Sequence, residues 1–450
     1  MFHKLLWRGA GRLSTWSHWF SRSLTPMGKG VTTAAFVAAV FGINTELSLV
    51  YQFFSLLFSL LLFSILSARS SRVILEAARI LPDQVWVGQP FDYELLLLNP
   101  SGVPQQDVVI FEQFPDPRPG FDQFMRTRND PEERMHNFYD RWVGLHRFVR
   151  LTRKNLGIRN EMHALGPIAP HGELRVRLRA TATRRGVIHF SGLLIGRADP
   201  LGLLRSFHHC PLPGRVLAVP RCHSVPHFED PRGRKHVPGG LTLAAAVGEH
   251  NEIAALRSYR AGDRLHAIHW PGLAKTGKLV VVERQEEFFT RHALVLDTLA
   301  SVSDAVFEEA VSLTASLALA QGHPDTLLEF MFVGPEVFRC TTGRGLGDHR
   351  RILELLASVQ PQVAQPFATL AQLVVSQAPR LSALFVVLIH WDRDRELWLH
   401  ALRARGIPLR VFLIQEQLPS PSSMALPGKG VPGFHLLHPG MLRHGFKGTS

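Results

Sequence analysis

The chain has 450 residues, 46% hydrophobic and 19% charged, with 50 Lys and Arg against 37 Asp and Glu for a formal net charge of +13. That composition excludes a disordered chain and leaves room for two or three packed domains at roughly 150 residues each. The basic surplus suits an anionic partner without choosing among lipid headgroups, nucleic acid and acidic protein.

The first elements are apolar. Residues 47–66 carry no charge and are dense in Leu and Phe, the length of a helix crossing about 30 Å of hydrocarbon. Residues 31–43 are also uncharged, and they reach a short span when extended back through Gly30 and Gly28 with Lys29 snorkelling. The pattern predicts a membrane anchor in residues 1–72, with helices over about 28–45 and 47–67. Gly42, Asn44, Thr45 and Glu46 form the polar turn between them. The alternative is a buried helix pair in a soluble domain. A cleaved signal peptide fits poorly, because the apolar stretch starts late and a second follows at once. Lys4, Arg8, Arg12, Arg22 and Lys29 precede the pair, Arg69, Arg72 and Arg79 follow it, and the turn carries only Glu46. The positive-inside rule then puts both ends of a multi-pass membrane protein in the cytoplasm. Three cysteines, Cys210, Cys222 and Cys340, cannot all pair within one chain, which agrees with a reducing compartment.

Residues 73–220 hold short strand-like runs. In Leu174-Arg175-Val176-Arg177-Leu178 apolar and basic residues alternate with period two, the pattern of a sheet with one wet face. Asn99-Pro100-Ser101-Gly102 and Asp199-Pro200-Leu201-Gly202 supply turns. The expectation is a β-sandwich-like domain of immunoglobulin type. A helical insertion is expected over about 130–157. Asp130-Pro131-Glu132-Glu133 reads as its cap and first turn, and Met135, Phe138, Trp142, Leu145 and Val149 recur at helical spacing. Arg134, Arg141 and Arg147 fall on other faces. The insertion is expected to pack its apolar face on the neighbouring sheet; the competing reading lays it on anionic lipid.

Residues 221–290 contain the densest motif. Leu256-Arg257-Ser258-Tyr259-Arg260-Ala261-Gly262-Asp263-Arg264 leads into Ile268-His269-Trp270 and then Ala274-Lys275-Thr276-Gly277-Lys278-Leu279. Gly262-Asp263 reads as a turn and helix cap. Arg257 and Arg260 could pair with carboxylates, and Trp270 is a large apolar anchor. These residues either clamp domains together or dock a partner. His269 near Asp263 could serve acid–base chemistry, but no activated nucleophile accompanies them. The run Gly272 to Lys278 imitates a phosphate loop, yet Leu279 stands where a magnesium-binding Ser or Thr is required and a strand follows instead of a helix, so nucleotide binding is rejected.

Residues 291–418 alternate strand and helix patterns: strands over 293–296, 327–333, 381–389 and 409–414, and helices over 304–320, 349–359 and 393–405. This predicts a mainly parallel sheet covered on both faces, with sites at strand C-terminal ends. Asp297 and Asp392 fall there. The Pro- and Gly-rich tail, residues 419–450, is expected to be loosely ordered.

The signature resembles that of the bacterial domain-of-unknown-function 58 family, Leu-Arg-x-Tyr-x-x-Gly-Asp, Ile-x-Trp, then Ala-x-x-Gly-x-Leu. Arg257, Tyr259, Gly262, Asp263, His269, Trp270, Ala274, Gly277 and Leu279 lie within the matching stretch. The resemblance extends to the paired spans, the β-rich zone, the run Asp199 to Leu203 and the α/β zone; Pro271 and the long insertion depart from the usual pattern. It implies a multidomain fold: a two-helix transmembrane hairpin, a β-sandwich-like domain and an α/β von Willebrand factor A-like (Rossmann-like) domain. Such A-type domains hold a divalent ion, magnesium for example, through Asp-x-Ser-x-Ser after the first strand. Here Asp297 and Ser301 match, Leu299 removes an oxygen ligand, and Asp392 with Thr341 or Thr342 would complete a remnant. No cofactor is expected. The resemblance further implies a scaffold or adaptor beside a MoxR-type AAA+ ATPase or a transglutaminase-like membrane protein. A membrane-bound hydrolase using His269 and Asp263 is the alternative. Besides membrane lipid, a protein partner is expected; nucleic acid is not, since no aromatic-basic motif accompanies the charge.

Overall fold

A computed structural model of the chain describes residues 4, 7–11, 20–41, 48–68, 73–129, 133, 137, 142–159, 161–226, 228, 253–261, 268–284, 290–321, 326–343, 350–362, 364–416 and 433–444. It divides into two compact units, Met1–Arg221 and Cys222–Ser450. The turn expected at residues 42–46, the cap at Asp130, the Gly262-Asp263 pair and most of the tail lie outside the described residues.

In the first unit, helices α1 (Pro26–Phe41) and α2 (Ser48–Ala68) pack against each other. Strands β1 (Glu76–Ile80), β2 (Gln84–Trp86), β3 (Pro90–Leu98), β4 (Val108–Gln113), β5 (Ile158–Arg159), β6 (His163–Ala164), β7 (Glu173–Ala182), β8 (Gly186–Ala198) and β9 (Arg205–Val219) follow. They form two sheets, β1-β3-β7-β5 and β2-β9-β8-β4-β6. The alternation in β7 turns Leu178, Ala180 and Ala182 inward and leaves Arg175, Arg177 and Arg179 in water, where Arg179 pairs with Asp92 at 2.9 Å. Leu95, Leu97 and Leu178 from one sheet share a core with Ile110, Leu193, Ile195 and Val216 from the other. In β8 the inward parity changes between Phe190 and Leu193, where the pairing with β9 shifts register and two residues of β9 lie opposite one of β8. Within this core the Arg79 guanidinium pairs with Glu112, donates to the Leu212 carbonyl at 2.7 Å and lies 4.6 Å from the Phe190 ring. Tyr93 donates its hydroxyl to Glu112 at 3.2 Å.

The insertion differs from its expected form. Helix α3 (Phe121–Arg126) and helix α4 (Leu145–Leu156) flank residues that are largely undescribed. Phe148 and Leu151 of α4 pack on Phe124 of α3 and on Ala10, a small core of their own rather than the sheet face. Arg147, expected on another face of the helix, is buried against Glu133 at 3.2 Å. Its charge is held by a carboxylate that the heptad-like spacing alone does not reveal.

The run Asp199 to Leu203 has a specific structural task. The Asp199 carboxylate accepts the amides of Leu201, Leu203 and Leu204 at 3.2, 2.8 and 2.7 Å. It also accepts the hydroxyl of Ser64, from the last turns of α2, at 2.7 Å. On the other helix Thr25, just before α1, donates its hydroxyl to the Gly202 carbonyl at 2.6 Å and its amide to that of Leu203 at 3.1 Å. Gly28 is required by this approach: a Cβ there would sit 2.0 Å from the Leu203 carbonyl oxygen. The start of α1 and the end of α2 are therefore both fastened to one turn.

In the second unit, strands β10 (Ile253–Ser258) and β11 (Val280–Arg284) form an antiparallel pair, with helix α5 (Trp270–Thr276) between them in sequence. Then come β12 (Thr290–Leu296), α6 (Asp304–Ala320), β13 (Thr326–Val333), β14 (Val337–Thr342), α7 (Arg350–Ser358), α8 (Phe367–Gln377), β15 (Ala383–Leu388), α9 (Arg393–Ala404), β16 (Leu409–Ile414) and β17 (Phe434–Leu437). The sheet order is β14-β13-β12-β15-β16-β17, all neighbours parallel except the β13–β14 pair. Ala293, Val295, Val386 and Leu413 pack beneath α8 and α9, while α6 covers the sheet through β12, β15 and β16. Residues Phe434–Leu437, in the tail expected to be loosely ordered, pair with β16 as an edge strand. Four residues are too short a run to stand out beside the surrounding Pro and Gly.

Asp199→Ala is expected to lower the unfolding free energy of the protein by roughly 3 kcal/mol or more, since one carboxylate accepts from four buried or half-buried donors. The exposed Asp116→Ala should leave it unchanged; denaturant titration reads both.

Candidate functional site

The sheet reverses its winding between β12 and β15, and in such sheets the crevice at the strand C-terminal ends is the usual site. Asp297 follows β12 directly; its amide donates to the Val387 carbonyl at 2.9 Å, and its side chain is fully buried. Asp392 caps α9, accepting the Arg395 amide at 2.9 Å. These two aspartates do come together, but a protein cation lies between them. Arg395 donates from Nε to Asp297 Oδ2 at 2.8 Å, from Nη1 to Asp392 Oδ2, and from Nη2 to the Leu299 carbonyl at 3.2 Å. The guanidinium carbon lies 4.5 Å from the Phe367 ring centroid. Burial pulls the guanidinium pKa down, but its bonds and charge contacts with Asp297 and Asp392 outweigh this, so it is held above the ordinary value and stays charged.

The remaining expected metal ligands do not join this site. Ser301 is exposed. Thr341 and Thr342 sit on β14, which runs antiparallel and pairs Thr342 with Leu328, level with His292. That is five residues before Asp297, roughly 16 Å along a strand. Asp297 Oδ1 is itself occupied by the Leu299 amide at 2.9 Å. A hard cation asks for six or more oxygens around one point, whereas these carboxylates converge on a guanidinium. The donor set does not fit a divalent ion, and among the described residues no group of three or more His, Cys, Asp or Glu could hold a metal.

The signature residues are brought together in a second place. Arg257 and Tyr259 stand at the end of β10, with the Tyr259 amide donating to the Leu279 carbonyl at 3.0 Å. Ile268 bridges Val281, and both are buried. His269 caps α5, its Nδ1 accepting the Gly272 amide at 3.1 Å. Pro271, which the sequence reading treats as an interruption, sits in the first turn of α5, where a missing amide costs nothing. Gly277 ends the helix at φ 67°, the left-handed position that favours glycine. Helix α5 precedes β11, so the phosphate-loop-like run has the reverse of a phosphate loop's strand–helix order. Ala274, Lys275 and Lys278 are exposed. Trp270 is 61% and Leu279 43% exposed.

Arg395 and Phe367 were missed by sequence reasoning. A signal existed for the first: an arginine in the first turn of a helix faces the positive end of the macrodipole, and Asp392 three residues earlier marks its compensation.

No family model matches the chain, and no curated protein matches it. Among solved structures it is similar to a superoxide reductase (neelaredoxin) from Ignicoccus hospitalis, 11% identical over 33% of this chain and 89% of that one, with a TM-score of 0.12. It is also similar to a GH20 exo β-N-acetylglucosaminidase from Vibrio harveyi in complex with N-acetylglucosamine, 10% identical over 76% of this chain and 57% of that one, with a TM-score of 0.16. Neither likeness bears on fold or chemistry. The resemblance to the 58 family rests on the signature and its neighbours in the sequence.

Trp270→Ala should change stability by no more than about 0.5 kcal/mol, as for other exposed positions. Ile268→Ala, at a buried position bridged to the buried Val281, should cost about 2–4 kcal/mol. Paired denaturation curves compare them.

Proposed function

We propose that the chain is a membrane-anchored scaffold that presents the signature element to an acidic partner protein. The supporting observation is the exposed apolar surface of α2. Its 21 residues extend about 31 Å at helical rise, near the thickness of a bilayer core. Only 11% of its apolar window is buried, whereas a core helix of a soluble domain is mostly covered. Phe53, Leu56, Phe58, Phe63 and Leu66 all face outward. Leu49–Ala68 is the one described stretch long and apolar enough to cross by length and composition. Helix α1, at 16 residues, needs its flanks or a thinner bilayer to do the same. Because the start of α1 and the end of α2 are tied to the same turn, a pair that enters the bilayer together returns on the side it left. The flanking cations favour the cytoplasm for that side.

The docking role is supported by Trp270 and Leu279, exposed beside Lys275 and Lys278. An exposed aromatic anchor on an element that also carries exposed lysines suits an acidic surface with an apolar pocket. The A-type reading of the second unit and a MoxR-type AAA+ ATPase as the partner follow from the family resemblance. Its strand order, counted in chain order as 3-2-1-4-5-6 with the third strand reversed, is compatible with that reading.

Two outcomes test this. After alkaline carbonate washing, the full chain should stay with the membrane pellet, and Leu56→Arg with Phe63→Arg should weaken its retention, each arginine costing about 2.5–3.5 kcal/mol in hydrocarbon. Wild-type protein in the detergent-free supernatant contradicts the anchor. Capture of the ATPase should fall about tenfold or more in Trp270→Ala combined with Lys275→Glu and Lys278→Glu; undiminished capture by the folded variant removes the signature as the docking surface.

A further inference from the structure

We propose that Arg395 is the resident cation of the crevice after β12, so that this face of the second unit is closed and organised without a divalent metal. The proposal rests on the geometry of the crevice and stands apart from the membrane and docking readings. Helical side chains lean toward the helix N-terminus, and Arg395, in the first turn of α9, leans back over the strand ends. Its fork then meets three acceptors from two segments: Asp297 and the Leu299 carbonyl in the loop after β12, and Asp392 at the head of α9. Both oxygens of each aspartate are engaged: Asp297 by the Leu299 amide and Nε, Asp392 by the Arg395 amide and Nη1. Phe367 covers one flat face of the guanidinium. The Arg395 side chain is 3% exposed and that of Asp297 0%.

This arrangement does mechanically what an ion would do. It neutralises a buried carboxylate and pins the loop after β12 to the start of α9. It differs in what it offers outward. A bound divalent ion keeps an open position that a partner's carboxylate or a water can take, whereas a buried guanidinium with its edges and one face occupied offers none. Any partner that touches this crevice therefore does so without a bridging metal. Adding a metal beside Arg395 would set a double positive charge against a fixed one at contact distance in a medium of low polarisability.

The test uses the full chain in detergent, with Mn2+ as the probe. Electron paramagnetic resonance should show no Mn2+ taken up at a site that Asp297→Asn abolishes, and the melting temperature should be the same in EDTA and in millimolar Mn2+. Uptake of one Mn2+ per chain, lost in Asp297→Asn, overturns the proposal. Arg395→Gln leaves the aspartates facing each other, and it should melt below wild type in EDTA and recover part of the loss when Mn2+ is added. A variant that folds and melts like wild type in EDTA would show that the guanidinium does not hold the loop. If Arg395→Gln fails to fold, the wild-type resonance measurement still decides.

Discussion

Four donors meet at the carboxylate of Asp199: three backbone amides of its own turn and the hydroxyl of Ser64 on α2. Thr25 reaches the same turn from the base of α1. The placement of the first unit depends on this junction. Without it the helix pair would hang from the sheets by its connecting residues, and neither end would have a defined exit. With it, the last turns of α2 and the first residues of α1 share one floor, and the β-sheets begin a few residues beyond. The close approach of Gly28 to Leu203 shows how little room this junction leaves: no side chain fits between helix and turn.

Buried arginines recur with one chemistry. Arg79 pairs with Glu112 and lies on Phe190; Arg147 pairs with Glu133 and lies on Phe124; Arg395 pairs with Asp297 and Asp392 and lies on Phe367. A planar, weakly hydrated guanidinium can take a carboxylate at its edge and an aromatic ring at its face, and lysine cannot. Such pairs cost much to desolvate and more to break, so they fix geometry more than they add stability. They also change the meaning of the charge count. The paired carboxylates cancel these arginines, so the net +13 is carried by the other groups, while the cations available to partners or lipid are fewer than the 50 Lys and Arg of the composition.

Much of the fold could be read from the sequence because burial imposes period. The alternation in β7, the capped helix Asp304–Ala320 and the strand Leu409–Ile414 lie where the pattern put them. Strand β14 and helix α8 escaped: β14 has exposed Val337 and Phe338 on an edge, and α8 is apolar without a clear stripe or charged flank. The candidate site was half legible. Asp297 and Asp392 were placed at the strand ends because topology puts sites there, and they do meet. What they meet was hidden, because the pairing of Arg395 with Asp297 spans 98 residues, and a ligand count made from local spacing assigns the role to a metal. Thr341 and Thr342 failed for a related reason: the reversed direction of β14, which sends them to the far end of the sheet, leaves no mark in composition.

Site-specific thiol labelling in intact cells tests the central claim most directly, that both ends of the helix pair emerge on one face of the membrane. In a chain whose three native cysteines are replaced, Asn44→Cys, between the two helices in sequence, should react with an impermeant maleimide added outside. A single cysteine restored at position 340 should react only after the membrane is permeabilised. Labelling of Cys340 in intact cells, or protection of both positions until lysis, would contradict the account.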